Sequence, residues 1–170
     1  LNTTKKCETQ IIKQADVVML LHLMGQEFDE ETTKLNYSYY EKRTLHGSSL
    51  SPSIYSIMGL KVGDDSKAYR YLRRAALIDL VNLQGNTREG IHAANAGGVW
   101  QVVVFGFAGV SLDEEGMLCI CPHMPPEWNG LTFRIHHLDS WLEITVHADN
   151  SVEVKVLEGG SVEIRIQGEK

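Results

Sequence analysis

The chain has 170 residues, 43% of them hydrophobic, which suits one domain or two small ones and excludes an intrinsically disordered chain. Its net charge of −6 comes from residues 113 to 170, where 4 Lys and Arg stand against 11 Asp and Glu. Because nucleic acid and anionic membranes require a concentrated positive field, we expect neither as a partner.

The first 112 residues are predicted to form helices joined by polar and glycine-rich loops, because apolar residues recur at three- and four-residue steps. The first helix is expected to end near Gly25. A second is predicted over residues 30 to 40, and a third over residues 51 to 60, where Ser51-Pro52 is a typical helix start. The apolar stripe expected on the first helix is Ile11, Ile12, Ala15, Val18, Met19 and Leu23.

Two further helices are predicted before residue 112. The fourth covers residues 66 to 80, and the fifth, residues 93 to 107, is apolar nearly all round, which is typical of a helix buried on every side. On the fourth helix we expect an apolar face of Ala68, Tyr71, Leu72, Ala75 and Ala76, with Arg70, Arg73 and Arg74 on the solvent side.

Near residues 113 to 116 the hydrophobic period changes from helical to two, which predicts a domain boundary between residues 1–112 and 113–170. Alternating segments at 131–135, 141–146, 152–156 and 162–166 are separated by turn signals, so we expect an antiparallel meander. About five strands without closure favour part of a sandwich over a barrel. The fold class is therefore α followed by β.

Three cysteines, Cys7, Cys119 and Cys121, are too few and odd in number for a disulfide framework, so a cytoplasmic location is expected. Cys119 and Cys121 are two residues apart and would share one face of a strand, which favours buried apolar residues over a metal site. The longest apolar runs are far shorter than the ~20 residues that a membrane span needs. Because the chain begins at Leu1, we expect a fragment of a longer protein.

Residues 43 to 52, RTLHGSSLSP, bring a guanidinium, an imidazole, hydroxyls and a flexible glycine to a predicted helix start. A helix N-terminus has free amides and partial positive charge, so this segment could bind phosphate. The alternative is that Ser51 caps the helix and the other serines fill a loop. The residues alone do not separate the two interpretations.

Two other segments carry candidate site residues. The polar loop of residues 85 to 92 delivers His92 to the start of the fifth helix, where it could donate to an anion or be a satisfied core histidine. Lys13 and Gln14 fall early on the predicted first helix, where a lysine is ordinarily on the solvent side.

Four segments, in the same order along the chain, resemble the C-terminal part of the glycoside phosphorylases of glycoside hydrolase family 65. These segments are IIKQADVVMLL at 11–21, YYEKRTLHGSSLSPSI at 39–54, GNTREGIHAANAGGVWQVVVFGFAG at 85–109 and PPEW at 125–128. Members of this family act on maltose, trehalose, kojibiose or nigerose. The resemblance covers nearly the whole chain.

The resemblance implies the last helices of an (α/α)6 barrel over residues 1–112, followed by a small antiparallel β-sandwich over residues 113–170. It implies that Ser48, Ser49 and His92 bind phosphate and that Lys13 and Gln14 contact the glucosyl unit. The general-acid Glu of the family lies on an earlier segment, so no catalytic residue is expected in this chain.

The implied activity is inverting phosphorolysis of an α-glucosidic disaccharide to β-glucose 1-phosphate and a free sugar. The resemblance implies neither metal nor organic cofactor, with phosphate as co-substrate, and as partners the missing part of the barrel and a second copy in a dimer. Two alternatives stay open: a family hydrolase, and a carbohydrate-binding module in which Trp128 or Trp141 stacks on sugar.

Overall fold

The computed structural model describes residues 9–166, so Cys7 lies outside the described residues. The chain divides into two compact units between Val102 and Val103. Helices come first and two small sheets follow, which confirms the predicted order of α then β. The boundary expected at residue 112 lies ten residues beyond this division and stays a prediction.

The described part of the first unit contains five α-helices. A short 3-10 helix, Thr87–Glu89, precedes the last one, which passes into a π-helical turn at Val102–Phe107. The five helices are α1 (Asp16–Leu23), α2 (Glu30–Glu41), α3 (Ser51–Lys61), α4 (Asp65–Leu77) and α5 (Ala93–Gln101).

The first helix is shorter than predicted, because the residues before it have extended backbone. Ile12 forms an isolated parallel bridge with Thr44: its N–H donates to the Arg43 carbonyl at 2.9 Å, and its carbonyl accepts from the Leu45 N–H at 2.9 Å. The placement of Ile11 and Ile12 on the helical stripe was therefore wrong. So was that of Leu23, which is 72% exposed, while Leu21 takes a place in the core.

Helix α3 is the centre of the first unit, since each of its residues from Ser51 to Leu60 is buried. Helix α2 begins where the Asp29 carboxylate accepts the Thr32 N–H at 2.6 Å, a standard N-cap. Side chains from three helices and the residue before α1 form one apolar cluster: Ala15, Val18, Leu21, Tyr37, Ile54, Tyr55 and Met58.

Helix α4 has the expected faces with two differences. It ends at Leu77 rather than residue 80, and Asp79 in the turn after it bonds to His92. Ala76, expected on the apolar face, is exposed. The three arginines lie on the exposed side as predicted, and the buried positions are Ala68, Leu72 and Ala75.

Helix α5 is not buried on every side, so that prediction was wrong for this chain. Asn95 and Gly98 are its buried residues, whereas Trp100 is 49% exposed. A Cβ on Gly98 would lie 2.5 Å from Ser53 Oγ, so the small residue permits close approach of α5 to the first turn of α3.

The second unit consists of two three-stranded sheets. One has the order β1 (Val110–Leu112), β2 (Leu118–Ile120) and β6 (Ile164–Ile166); the other is β3 (Gly130–His137), β4 (Ser140–His147) and β5 (Val152–Glu158). The antiparallel meander is confirmed for β3 to β5. It is wrong for β6, which pairs parallel with β2 in the other sheet.

The two sheets share one apolar core, as expected for a sandwich. Leu118 and Ile120 of β2 belong to the same cluster as Leu142, Ile144 and Val146 of β4. Cys119 is buried on β2 as predicted, whereas Cys121 follows the end of that strand and is only partly buried. The sequence alternation of β4 thus determines which of its faces enters the core.

Candidate functional site

The serine loop, residues 47 to 50, leads directly into the buried helix α3. Ser48 and Ser49 are partly exposed, and Ser48 Oγ accepts the Leu50 N–H at 3.3 Å. Leu50 holds the N-cap position and makes no side-chain cap bond. Ser51 is already the first residue of the helix, so the interpretation of Ser51 as the N-cap was wrong.

The start of α3 has the properties of an anion-binding helix end. Its first amides lie outside the hydrogen-bond ladder of the helix, where the macrodipole is positive. The Ser51 hydroxyl is buried and has no hydrogen-bond partner among residues 9–166. Because buried hydroxyls are ordinarily satisfied, this one is consistent with a ligand or water at the helix start.

Arg43 contacts Tyr39 and Gln10, although its position in the segment 43 to 52 suggested a place in the phosphate site. Its guanidinium lies over the Tyr39 ring, 3.6 Å from the centroid, and donates to the Tyr39 carbonyl at 2.9 Å and to Gln10 Oε1 at 3.2 Å. The structure thus gives Arg43 the role of fastening α2 to the segment before α1.

His92, at the N-cap position of α5, is held by Asp79. The His92 N–H donates to Asp79 Oδ2 at 2.9 Å, and ring Nδ1 lies 2.6 Å from Asp79 Oδ1. Because a carboxylate only accepts, Nδ1 carries a proton. The other ring nitrogen, Nε2, is then the one that can face a ligand, and the Asn86 amide lies 3.4 Å from it.

The side-chain hydrogen bond from His92 Nδ1 holds the pKa of Asp79 below its usual range, so this carboxylate is ionised at neutral pH. Sequence reasoning missed Asp79. It lies 13 residues before His92 in a turn, and no spacing rule relates an aspartate there to a histidine at the next helix start.

Lys13 and Gln14 do not lie on α1 as predicted; they occupy an exposed bend just before it. The bridge between Ile12 and Thr44 places this bend beside the backbone that leads to the serine loop. Ile12 and Thr44 lie side by side, and the Lys13–Gln14 segment and the serine loop each follow one of these two residues.

Helix α4 connects the serine loop with His92. Arg74 Nη2 donates to the His46 carbonyl at 2.8 Å, just before the loop, and Asp79 follows the same helix. Asn95 Nδ2, on α5, donates to the Ala75 carbonyl at 2.9 Å. The two candidate phosphate-binding segments are therefore both fastened to the C-terminal end of α4.

Within residues 9–166, no cluster of three or more His, Cys, Asp or Glu could hold a metal ion. The same residues contain no helix both long and apolar enough to span a membrane.

Of the two tryptophans considered for sugar stacking, Trp128 packs on Phe107 at 5.2 Å between centroids. Trp141 is 45% exposed and contacts His136 at 5.2 Å.

Comparison with known families agrees with this arrangement of helices and sheets. Residues 1–101 match the model of the glycosyl hydrolase family 65 central catalytic domain, and residues 112–170 match that of the family 65 C-terminal domain. The chain belongs to glycosyl hydrolase family 65. The resemblance inferred from the four sequence segments is thereby confirmed.

Several family 65 relatives are phosphorylases. Kojibiose phosphorylase of Thermoanaerobacter brockii is 53% identical over 98% of this chain, and α,α-trehalose phosphorylase of Geobacillus stearothermophilus is 40% identical over 95%. A solved structure described as "Putative kojibiose phosphorylase from human microbiome" superposes with a TM-score of 0.86 at 35% identity, over 95% of this chain and 24% of that one. The chain spans 22% of the length of the first relative and 21% of the second.

Proposed function

We propose that this family 65 chain is part of an inverting disaccharide phosphorylase and supplies its phosphate-binding loop. The observation that carries the proposal is the start of α3, which lacks a side-chain cap and directly follows Ser48 and Ser49. His92, oriented by Asp79, is the third phosphate ligand. The two phosphorylase relatives named above support the same activity.

The proposed reaction is a single displacement in which inorganic phosphate replaces the acceptor sugar. A phosphate oxygen attacks the anomeric carbon of the glucosyl unit and forms the new C–O bond. The glycosidic C–O bond on the opposite face breaks, and a general-acid Glu outside these residues protonates the departing oxygen. Because phosphate is already an anion, no general base is needed.

In this proposal the phosphate ligands neutralise and orient the nucleophile. The Ser48 and Ser49 hydroxyls donate to phosphate oxygens, and the α3 amides add the positive end of the helix. Because the Nδ1 proton is already given to Asp79, His92 Nε2 donates from the α5 side in the imidazolium form, which pairs with the phosphate anion. Lys13 and Gln14 contact the glucosyl hydroxyls from the adjoining bend.

The proposal includes an (α/α)6 barrel whose last helices are those of the first unit. Supporting this, α5 exposes Trp100, and the turns after α4 expose Leu80 and Val81, apolar surface that further helices would cover. We also propose a dimeric cytoplasmic enzyme without metal or organic cofactor, on the strength of the family resemblance and the few cysteines.

The double variant Ser48→Ala/Ser49→Ala tests the phosphate site in the complete polypeptide that carries residues 1–170. Loss of two hydroxyl donors to an anion should raise the KM for phosphate by about 100-fold, since each bond to a charged group contributes roughly 1.5 kcal/mol. Ser38→Ala is the control, because Ser38 is an exposed serine on α2 and not part of the serine loop. Unchanged phosphate dependence in the double variant would refute the assignment.

A further inference from the structure

His46 stands immediately before the serine loop in a backbone conformation that needs support. Its φ is 51°, in the left-handed region that residues with a side chain seldom adopt. The residue is also buried, with 9% of its surface exposed. Such a conformation persists where the surrounding structure determines it, so the contacts of His46 bear on the loop that follows.

A directional hydrogen-bond chain holds the imidazole. Tyr71 Oη donates to Glu41 Oε1 at 3.0 Å and lies 2.9 Å from His46 Nε2. A phenol has one proton, so its oxygen accepts from His46, and Nε2 carries the imidazole proton. Burial, then the charge of Arg74, lowers the pKa of His46, so the ring is neutral. Burial raises the pKa of Tyr71, which keeps its proton.

Packing and a backbone bond complete the support. The His46 ring lies 4.8 Å from the ring centroids of both Tyr55 and Tyr71, and Arg74 donates to the His46 carbonyl at 2.8 Å. These contacts come from three helices: α2 supplies Glu41, α3 supplies Tyr55, and α4 supplies Tyr71 and Arg74.

Gly47, the residue after His46, is much less closely packed. A Cβ placed on Gly47 would meet no atom within 4 Å, and Gly47 is exposed. His46 is therefore the last firmly packed residue before Ser48 and Ser49, and the loop resumes firm packing only at Ser51, which is buried.

We propose that His46 is a positioning residue for phosphate, acting through Tyr71 and Glu41 to fix the turn that presents Ser48 and Ser49. The inference rests on the proposed function of those two serines. A ligand held only by a short loop is bound best when the loop is preorganised, because a displacement of about 1 Å can cost on the order of 100-fold.

The test compares Tyr71→Phe with Tyr37→Phe in the complete polypeptide. Both substitutions remove one hydroxyl from the same group of aromatic rings, but the Tyr37 hydroxyl is buried with no hydrogen-bond partner among residues 9–166. We expect Tyr71→Phe to raise the KM for phosphate about tenfold while the KM for the disaccharide changes by less than about twofold. Tyr37→Phe should leave both constants unchanged.

Equal phosphate KM values for the two variants would overturn the role of His46. A second pair guards against a Tyr71 variant that does not fold: the amide of His46→Gln can still donate to Tyr71, whereas His46→Ala cannot. His46→Gln should keep a phosphate KM closer to the wild type, and equal values for this pair would likewise overturn the inference. If the wild-type rate is independent of phosphate, the proposed function itself fails, which is a separate result.

Discussion

At the scale of single residues, the candidate site depends on the neighbours that hold each side chain. Asp79 accepts hydrogen bonds from both the backbone N–H and the ring Nδ1 of His92, and so fixes the orientation of that ring. In the sequence, Arg43 and His46 belong with the serines to the segment 43 to 52 that could bind phosphate. The structure gives both of them supporting roles, because Arg43 lies over the Tyr39 ring and His46 Nε2 is hydrogen-bonded to Tyr71.

Asp79→Asn tests the orientation of His92. The substitution removes the carboxylate charge and one of the two oxygen acceptors that hold His92, so the KM for phosphate should rise about tenfold, in line with the effect of losing a charge-assisted bond. Steady-state kinetics with varied phosphate measures this. Asp65→Asn, an exposed carboxylate in the first turn of α4, should have no effect; a similar rise in both would mean that general charge, and not the His92 contact, is responsible.

At the scale of elements, hydrophobic periodicity predicted the helices and strands whose packing is local and missed those decided by distant partners. Strands β3, β4 and β5 pair with their sequence neighbours, so alternation and turn residues were sufficient. Strand β6 pairs with β2, more than forty residues earlier, and no local signal reports that choice. The start of α1 was missed for the same reason, since the bridge from Ile12 to Thr44 competes with helix.

The β1–β2 turn provides a pH test of such a distant contact. Asp113 Oδ1 accepts the Met117 and Glu115 N–H groups at 2.9 and 3.0 Å, and Oδ2 accepts from Arg165 Nη1, on β6, at 2.8 Å. The backbone bond from Met117 is the main cause that lowers the pKa of Asp113. A carboxyl whose pKa is lowered on folding stabilises the fold above its unfolded pKa of about 4, and this contribution is lost as the pH falls through the lower folded value.

We therefore expect the Tm of the second unit to fall as the pH is lowered from about 5 to about 3, and part of that fall to disappear in Asp113→Asn. Differential scanning calorimetry across this range measures it. Glu114→Gln removes an adjacent exposed carboxylate and should keep the wild-type pH dependence. An Asp113 variant with an unaltered pH profile would show that the turn does not depend on this carboxylate.

At the scale of the whole molecule, membership of family 65 and the order of helices before sheets could be inferred from sequence. The exposure of α5 could not, because an apolar helix indicates burial without saying which chain segment covers it. The structure shows Gly98 against Ser53 and Trp100 on the exposed side. The proposed barrel accounts for that exposure by covering Trp100 with further helices.

Trp100→Ala tests the proposed cover in the complete polypeptide. If other helices bury Trp100, the substitution should lower the free energy of unfolding by about 3 kcal/mol or more, as for large core residues. Trp141→Ala is the matched control: Trp141 is similarly exposed, at 45%, but lies on an open sheet face, and its loss should cost about 1 kcal/mol at most. Chemical denaturation measures both values, and equal small losses would contradict the barrel.

The most direct test of the phosphorylase assignment is the product formed from an α-glucosidic disaccharide with and without inorganic phosphate. Kojibiose is the first substrate to try, since the relative from T. brockii is 53% identical, and NMR of the reaction mixture identifies the anomer. We expect one β-glucose 1-phosphate for each glucose released, and no cleavage without phosphate. Release of free glucose alone, at a rate unaffected by phosphate, would contradict the phosphorylase assignment.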